Sequence, residues 1–314
     1  MPLTQLNFQP GIDTENTATG AEGKWIDCDK VRFRKGLPQK IGGWTKFSED
    51  YYIGVGRALE QWFALTGTRF EALGTDRKVY AYSAGTSQDI TPIRETATLV
   101  NAITTTNTSA TLTISDSSHG ADVGDFVTLS SVSANVGGIL STVLDAEYEI
   151  LTITNVDAYT VLSSATATST VGPTANCTAN YQLNIGPSEQ TFGYGWGSGT
   201  WSTSTWGTAR ATSNVTLDAR LWSINNWGED LVITQKDGGT YEWDTSGGMS
   251  GNRATVIANA PTTSTLSMIS TETRHVVCMG TETTIGSVGT QDKMFIRWSD
   301  QENYNQWTPN VTNS

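Results

Sequence analysis

The sequence predicts an all-β protein, and three observations carry that expectation. The 314 residues are 37% hydrophobic, with 31 Gly and only 19 Lys and Arg. Thr, Ser, Gly and Asn are abundant, while long helix formers are scarce. β-branched and aromatic residues favour strands, and Gly, Asn and Asp favour the turns between them. The second observation is a rhythm of short apolar runs separated by Gly, Asp or Ser. The third is an internal echo of one such run in another. Together they predict β-propeller-like repeated four-stranded sheets with an inserted small β-barrel or sandwich domain.

Residues 1–50 form an extended N-terminal arm and first strand. Glycines punctuate the segment, and its longest strand candidate is Lys30-Val-Arg-Phe-Arg34. Alternation there sets Val31 and Phe33 toward a core and Lys30, Arg32 and Arg34 outward. Seven of the 19 Lys and Arg residues fall between Lys24 and Lys46, a local reversal of an overall charge of −12. Lys30, Arg32, Arg34 and Lys35 are therefore interface candidates toward an acidic partner. A merely solvated strand face explains them equally well. Asp13-Thr-Glu-Asn16, after Gln9-Pro-Gly11, has the look of an arm laid on a neighbour or of a plain terminus.

Residues 51–94 read as one propeller blade. Arg57–Ala64, Arg69–Gly74, Lys78–Tyr82 and Gln88–Pro92 are four strand-like pieces joined by short turns. Residues 95–185 have a different texture, nearly free of Lys, Arg and Trp and rich in Thr, Ser, Ala and Val. Ala110–Ile114, Phe126–Leu129, Tyr148–Ile153 and Tyr159–Leu162 alternate as strands, so the segment is expected to be the inserted domain.

Residues 186–314 carry further blades. Arg220–Ile224, Asp230–Thr234 and Thr240–Trp243 make one set, with Asp237-Gly-Gly239 as the tight turn. Thr273–Met279 and Met294–Trp298 begin another. The echo is Gly74-Thr-Asp-Arg-Lys-Val-Tyr-Ala-Tyr82 against Gln235-Lys-Asp-Gly-Gly-Thr-Tyr-Glu-Trp243. A Gly-rich loop precedes these strands and holds Trp196, Trp201 and Trp206 at intervals of five. Long loops of this kind usually have a job. Three indoles suit stacking on sugar rings, and they equally suit anchoring the loop to its own domain or to a neighbouring subunit.

Catalytic chemistry is not expected. His119 and His275 are far apart and have no third ligand at a useful spacing, with Asp122 and Asp125 the only candidates beside His119. Nucleophile-elbow, P-loop and zinc-protease patterns are missing, so neither enzyme activity nor a cofactor is predicted. Cys28, Cys177 and Cys278 lack short spacing and read as free thiols of a reducing compartment. The charge of −12 argues against an all-over nucleic-acid surface, although an acidic wall lets DNA pass without sticking. No basic-then-apolar leader opens the sequence and no run is long enough to span a bilayer, so folding in the cytosol is expected.

Three segments carry a family resemblance: Phe8-Gln-Pro-Gly-Ile-Asp-Thr14, the stretch Trp25–Trp44 with its Lys30–Lys35 core, and Phe295-Ile-Arg-Trp-Ser-Asp-Gln-Glu-Asn-Tyr-Asn-Gln-Trp-Thr-Pro309. They resemble the tail nozzle or tail hub proteins of short-tailed bacteriophages, also called packaged-DNA stabilisation or tail tubular proteins. Leu221–Thr234 and the Gly/Trp loop at 193–207 follow the same pattern. The resemblance implies a non-enzymatic virion subunit, made in the host cytoplasm, that assembles as a ring, six-fold in such relatives. That ring would meet portal and adaptor proteins and tail fibres or spikes. It would retain packaged double-stranded DNA without reading its sequence and give it an exit. The alternative is a glycan-binding tail-fibre or adhesin-like module acting through the Trp loop. One departure is length: such proteins are usually longer, and the third blade is unfinished, too few strands for a propeller to close.

Overall fold

The computed structural model describes residues 9–43, 45–190 and 218–308. The chain divides into two compact units, residues 1–47 and 48–314. In the first, Ile12 bridges Trp25, and Asp13 N donates to Trp25 O at 2.8 Å. A hairpin follows, β1 (Val31–Arg34) against β2 (Leu37–Lys40). Lys35 and Gly36 form its two-residue turn with φ of 52° and 79°. Both are left-handed, the mirror-type turn whose twist matches paired strands and for which glycine is suited. β2 is an addition to the expected elements, since Pro38 hides its strand character; on this two-stranded ribbon each strand has a free edge, where proline is tolerated.

The second unit is nearly all β. Among the described residues its α-helix is confined to one turn, Ser141–Leu144. The first sheet is an antiparallel meander of β3 (Gly56–Phe63), β4 (Arg69–Thr75), β5 (Val79–Ser83) and β6 (Thr86–Asp89). The expected fourth strand, Gln88–Pro92, is displaced toward the N-terminus. Pro92 has no N–H for a ladder, and Asp89 is already accepting from Thr91 N at 2.9 Å.

β7 (Ile93–Leu99), β8 (Ile103–Thr105), β9 (Thr111–Ser115), β10 (Phe126–Ser130), β11 (Glu147–Asn155), β12 (Ala158–Leu162), β13 (Val171–Thr174) and β14 (Cys177–Gln182) form one eight-stranded antiparallel sheet. Its order is β13-β8-β9-β12-β11-β10-β14-β7. Register shifts in β11, between Ile150 and Thr152 and between Ile153 and Asn155, bend that strand so that it serves both halves. The sheet folds over a core of its own, with Ile103, Leu112, Ile114, Leu129, Ile150 and Tyr159 fully buried.

The third sheet is the meander β15 (Trp222–Trp227), β16 (Asp230–Gln235), β17 (Thr240–Trp243) and β18 (Thr255–Val256). The fourth is β19 (Leu266–Ile269), β20 (Val276–Met279) and β21 (Ile296–Trp298). Two expectations need correction. β15 starts two residues later than Arg220 and runs on through Asn225 and Asn226, because Arg220 N is taken by Pro187 O while Trp227 pairs with Asp230. β20 starts at Val276 rather than Thr273, since Arg274 adopts φ 49° and breaks the extended run.

The three meanders stack face to face. β15 lies against β3 and β4 on one side and β19 on the other. Alternation along β16 explains the order: Leu231 and Ile233 point at the first meander, and Val232 at the last. Trp62 stacks on Phe70 at 5.5 Å, and Trp243 meets both rings edge-on at 6.3 and 5.8 Å. Their indole N–H groups are satisfied, Trp62 Nε1 by Glu229 O at 2.8 Å and Trp243 Nε1 by Asn252 O at 3.1 Å. Each such ring pair adds about 0.5–1.5 kcal/mol beyond its buried area.

Candidate interface

The hairpin of the first unit gathers four of the seven interface candidates. Cross-strand register sets Arg32 opposite Gln39 and Arg34 opposite Leu37, so these four share one face. Val31, Phe33, Pro38 and Lys40 share the other, where Phe33 meets Trp25 at 6.3 Å. Val31 and Phe33 are half-buried while Arg32 and Arg34 are exposed, as alternation predicts. Lys35 sits in the turn. Lys30 lies 3.7 Å from Asp29 with both groups exposed, a pair worth little in water. Arg32 Nε donates to Gln39 Oε1 at 3.1 Å. Among the described residues no carboxylate lies within ion-pair distance of Arg34, Lys35 or Lys40.

Charge separates the two units. Residues 1–47 carry seven Lys and Arg against five Asp and Glu, net +2, whereas residues 48–314 carry 12 against 26, net −14. From residue 30 to residue 47 there are six cations and no acid. Any contact such a segment made with an acidic surface would weaken as salt rises.

Trp196, Trp201 and Trp206 lie outside the described residues. His119 is buried; its Nδ1 accepts from Ala121 N at 3.1 Å and its Nε2 meets Asn155 O at 3.2 Å. His275 Nδ1 meets Ser299 O at 2.8 Å. Asp125 accepts from Asp122 N and Ile185 N, both at 2.8 Å, and burial pushes its carboxyl up. Both nitrogens of His119, Nδ1 of His275 and both carboxylate oxygens of Asp125 are thus engaged by the backbone. Among the described residues no set of three or more His, Cys, Asp or Glu side chains is arranged to hold a metal. All three cysteines are free, and burial pushes the thiols of Cys177 and Cys278 up to about 11.

One polar cluster went unread in the sequence. Lys78 is 3% exposed, and its Nζ bonds Asp89 Oδ2 at 2.9 Å and Glu147 Oε1. The same ammonium lies 4.1 Å from the Phe126 ring centroid. Arg253 pairs with the same carboxylates, at 3.1 Å to Asp89 and 3.2 Å to Glu147. Burial pushes the Asp89 carboxyl up, but Arg253 and Lys78 overcome that and hold it below its ordinary value. Two cations balance two anions, so the cluster has no unpaired base or acid to offer a substrate. It instead ties the first meander, the eight-stranded sheet and the turn before β18 to one another. Lys78 opens an apolar strand in the sequence, and no local signal announces carboxylate partners 11 and 69 residues away, or a second cation 175 residues away on the same two carboxylates.

No family model matches the chain, and no curated protein does. Among solved structures it is similar to the phage phi92 endosialidase, at 15% identity and a TM-score of 0.25. That alignment covers 77% of this chain and 37% of the endosialidase chain, so this chain spans little more than a third of it.

Proposed function

We propose that this chain is a subunit of a homo-oligomeric virion ring, of the tail nozzle or tail tube kind, that retains packaged DNA and gives it a channel for exit. The observation that carries the reading is the stack of three meanders with their first strands, β3, β15 and β19, side by side. That is how propeller blades are arranged around an axis, and a propeller-like ring component needs such wedges. The excess of acid in residues 48–314 suits a wall past which a polyanion slides. The cationic hairpin suits a contact between subunits, and the resemblance of Trp25–Trp44 and Phe295–Pro309 to the nozzle proteins points the same way.

Native mass spectrometry and negative-stain imaging of the whole chain test this. The expected result is a ring with an axial opening, and the joint variant Arg32→Glu, Arg34→Glu, Lys35→Glu weakens its assembly at low salt. A chain that stays monomeric at micromolar concentration overturns the reading.

A further inference from the structure

The hairpin of residues 1–47 has two unlike edges. Ile41 N donates to Lys30 O at 2.8 Å, which fixes the parity of the ladder. Lys30, Arg32 and Arg34 bond across to Ile41, Gln39 and Leu37, so the residues between them turn their N–H and C=O groups outward. On β2 the outward residues are Pro38 and Lys40, and Pro38 has no N–H to give. On β1 they are Val31 and Phe33, which keep both N–H and both C=O groups. Among the described residues no strand pairs with β1 on that side. The β1 edge is therefore open to a further strand, and the β2 edge is blocked. A strand laid along β1 would meet Arg32 and Arg34 on one face and Val31 and Phe33 on the other. Arg32 and Arg34 are exposed, and among the described residues neither has a carboxylate within ion-pair distance. Val31 and Phe33 are half-buried, with Phe33 against Trp25.

We propose that β1 takes, as a third strand, an extended segment of a neighbouring subunit whose side chains alternate carboxylate and apolar. Its carboxylates face Arg32 and Arg34, and its apolar groups extend the side of Val31 and Phe33. Charge complementarity argues for this occupant: opposite charges facing each other across two strands stabilise the pair, and like charges destabilise it. The β1 of a second copy, paired here, would set Arg against Arg and is disfavoured on that ground. Main-chain hydrogen bonds to Val31 and Phe33 supply affinity, and the alternating side chains supply selectivity. A two-stranded ribbon is only marginally stable in water, so a third strand also orders the hairpin. The inference rests on the subunit-contact reading of the hairpin given above and deepens it by naming the chemistry of the segment received.

The probe is a short synthetic peptide of alternating Glu and Val, labelled for fluorescence anisotropy and titrated with the whole chain at low salt. Binding is expected, and it weakens as salt rises. Arg32→Glu with Arg34→Glu sets like charges opposite the glutamates and should raise the Kd at least about 10-fold, whereas Arg32→Lys with Arg34→Lys keeps most of the affinity. Both double variants alter exposed side chains, and circular dichroism establishes that they fold. N-methylation of the peptide's valines removes the N–H groups that face Val31 and Phe33 in an antiparallel pairing; N-methylation of its glutamates removes those that do so in a parallel one. One of the two methylated peptides is therefore expected not to bind. A peptide that fails to bind, binds the charge-reversed chain equally well, or tolerates both methylations overturns the inference. Tighter binding of a DNA duplex overturns it as well, since the hairpin would then be a phosphate site. So does an Arg32→Cys chain that crosslinks to its own kind at that position, because a second copy would then cover β1. If copies form the ring while the peptide stays free, only this inference falls. If the peptide binds a chain that stays monomeric, only the ring reading falls.

Discussion

Replacing Lys78 by Met would test whether the buried ion cluster holds the second unit together. The substitution keeps an apolar stem against Phe126 and removes only the ammonium, leaving Asp89 and Glu147 with Arg253 as their shared cation. Breaking a buried pair by deleting one partner costs about 3–5 kcal/mol. Two features lower that figure. Arg253 still neutralises part of the charge, and Glu147 is 33% exposed, so water reaches one of the stranded carboxylates. We expect a loss of about 2–3 kcal/mol. For a unit of this size each kcal/mol lowers Tm by about 2–4 °C, which predicts a fall of about 4–12 °C. Urea titration and thermal melts at pH 7 measure it. A second variant, Lys78→Met with Glu147→Gln, should recover at least about 1 kcal/mol, because the uncompensated charge is gone. A single variant within about 0.5 kcal/mol of wild type, or a double variant no better than the single, refutes the account.

Two other predictions follow from the same unit. Gly74→Ala places a Cβ 2.7 Å from Cδ1 of Trp222, whose indole is held by a bond from Nε1 to Thr75 O at 2.6 Å. Overpacking there should remove about 1–3 kcal/mol in a urea titration, and a variant as stable as wild type would mean that the first and middle meanders are not pressed together at this point. The Asp89 carboxyl is held below its ordinary value of 3.8, so its contribution is complete above that pH and is lost as pH falls through the depressed folded value. Stability should therefore drop between pH 4 and the depressed value, and less steeply in Lys78→Met; equal acid slopes in the two proteins would contradict the pairing.

Much of the strand inventory was legible in the sequence. Strand alternation is a local property, so Val31 and Phe33 announced the buried side of β1, and Ala110–Ile114 and Tyr159–Leu162 announced β9 and β12. Asp230–Thr234 was legible as a strand, and its place in the middle of the stack explains why Leu231, Val232 and Ile233 are apolar on both of its faces. Elements whose pattern is weak were missed. β2 hides behind Pro38, and β19 is a four-residue piece, Leu266–Ile269, with one polar residue toward the core. The four cationic interface candidates were found because clustered charge is visible without a fold.

By itself, then, the sequence determined that the chain is built of short antiparallel strands, which side of each strand is apolar, and where positive charge concentrates. Only the tertiary structure decided that the eight strands from Ile93 to Gln182 share one folded-over sheet, that Lys78 and Arg253 share Asp89 and Glu147, and that β15 lies between the first and last meanders. The physical reason is range. A period of two residues is written in neighbouring side chains, whereas the pairing of distant strands depends on which faces remain uncovered after every nearer contact has formed.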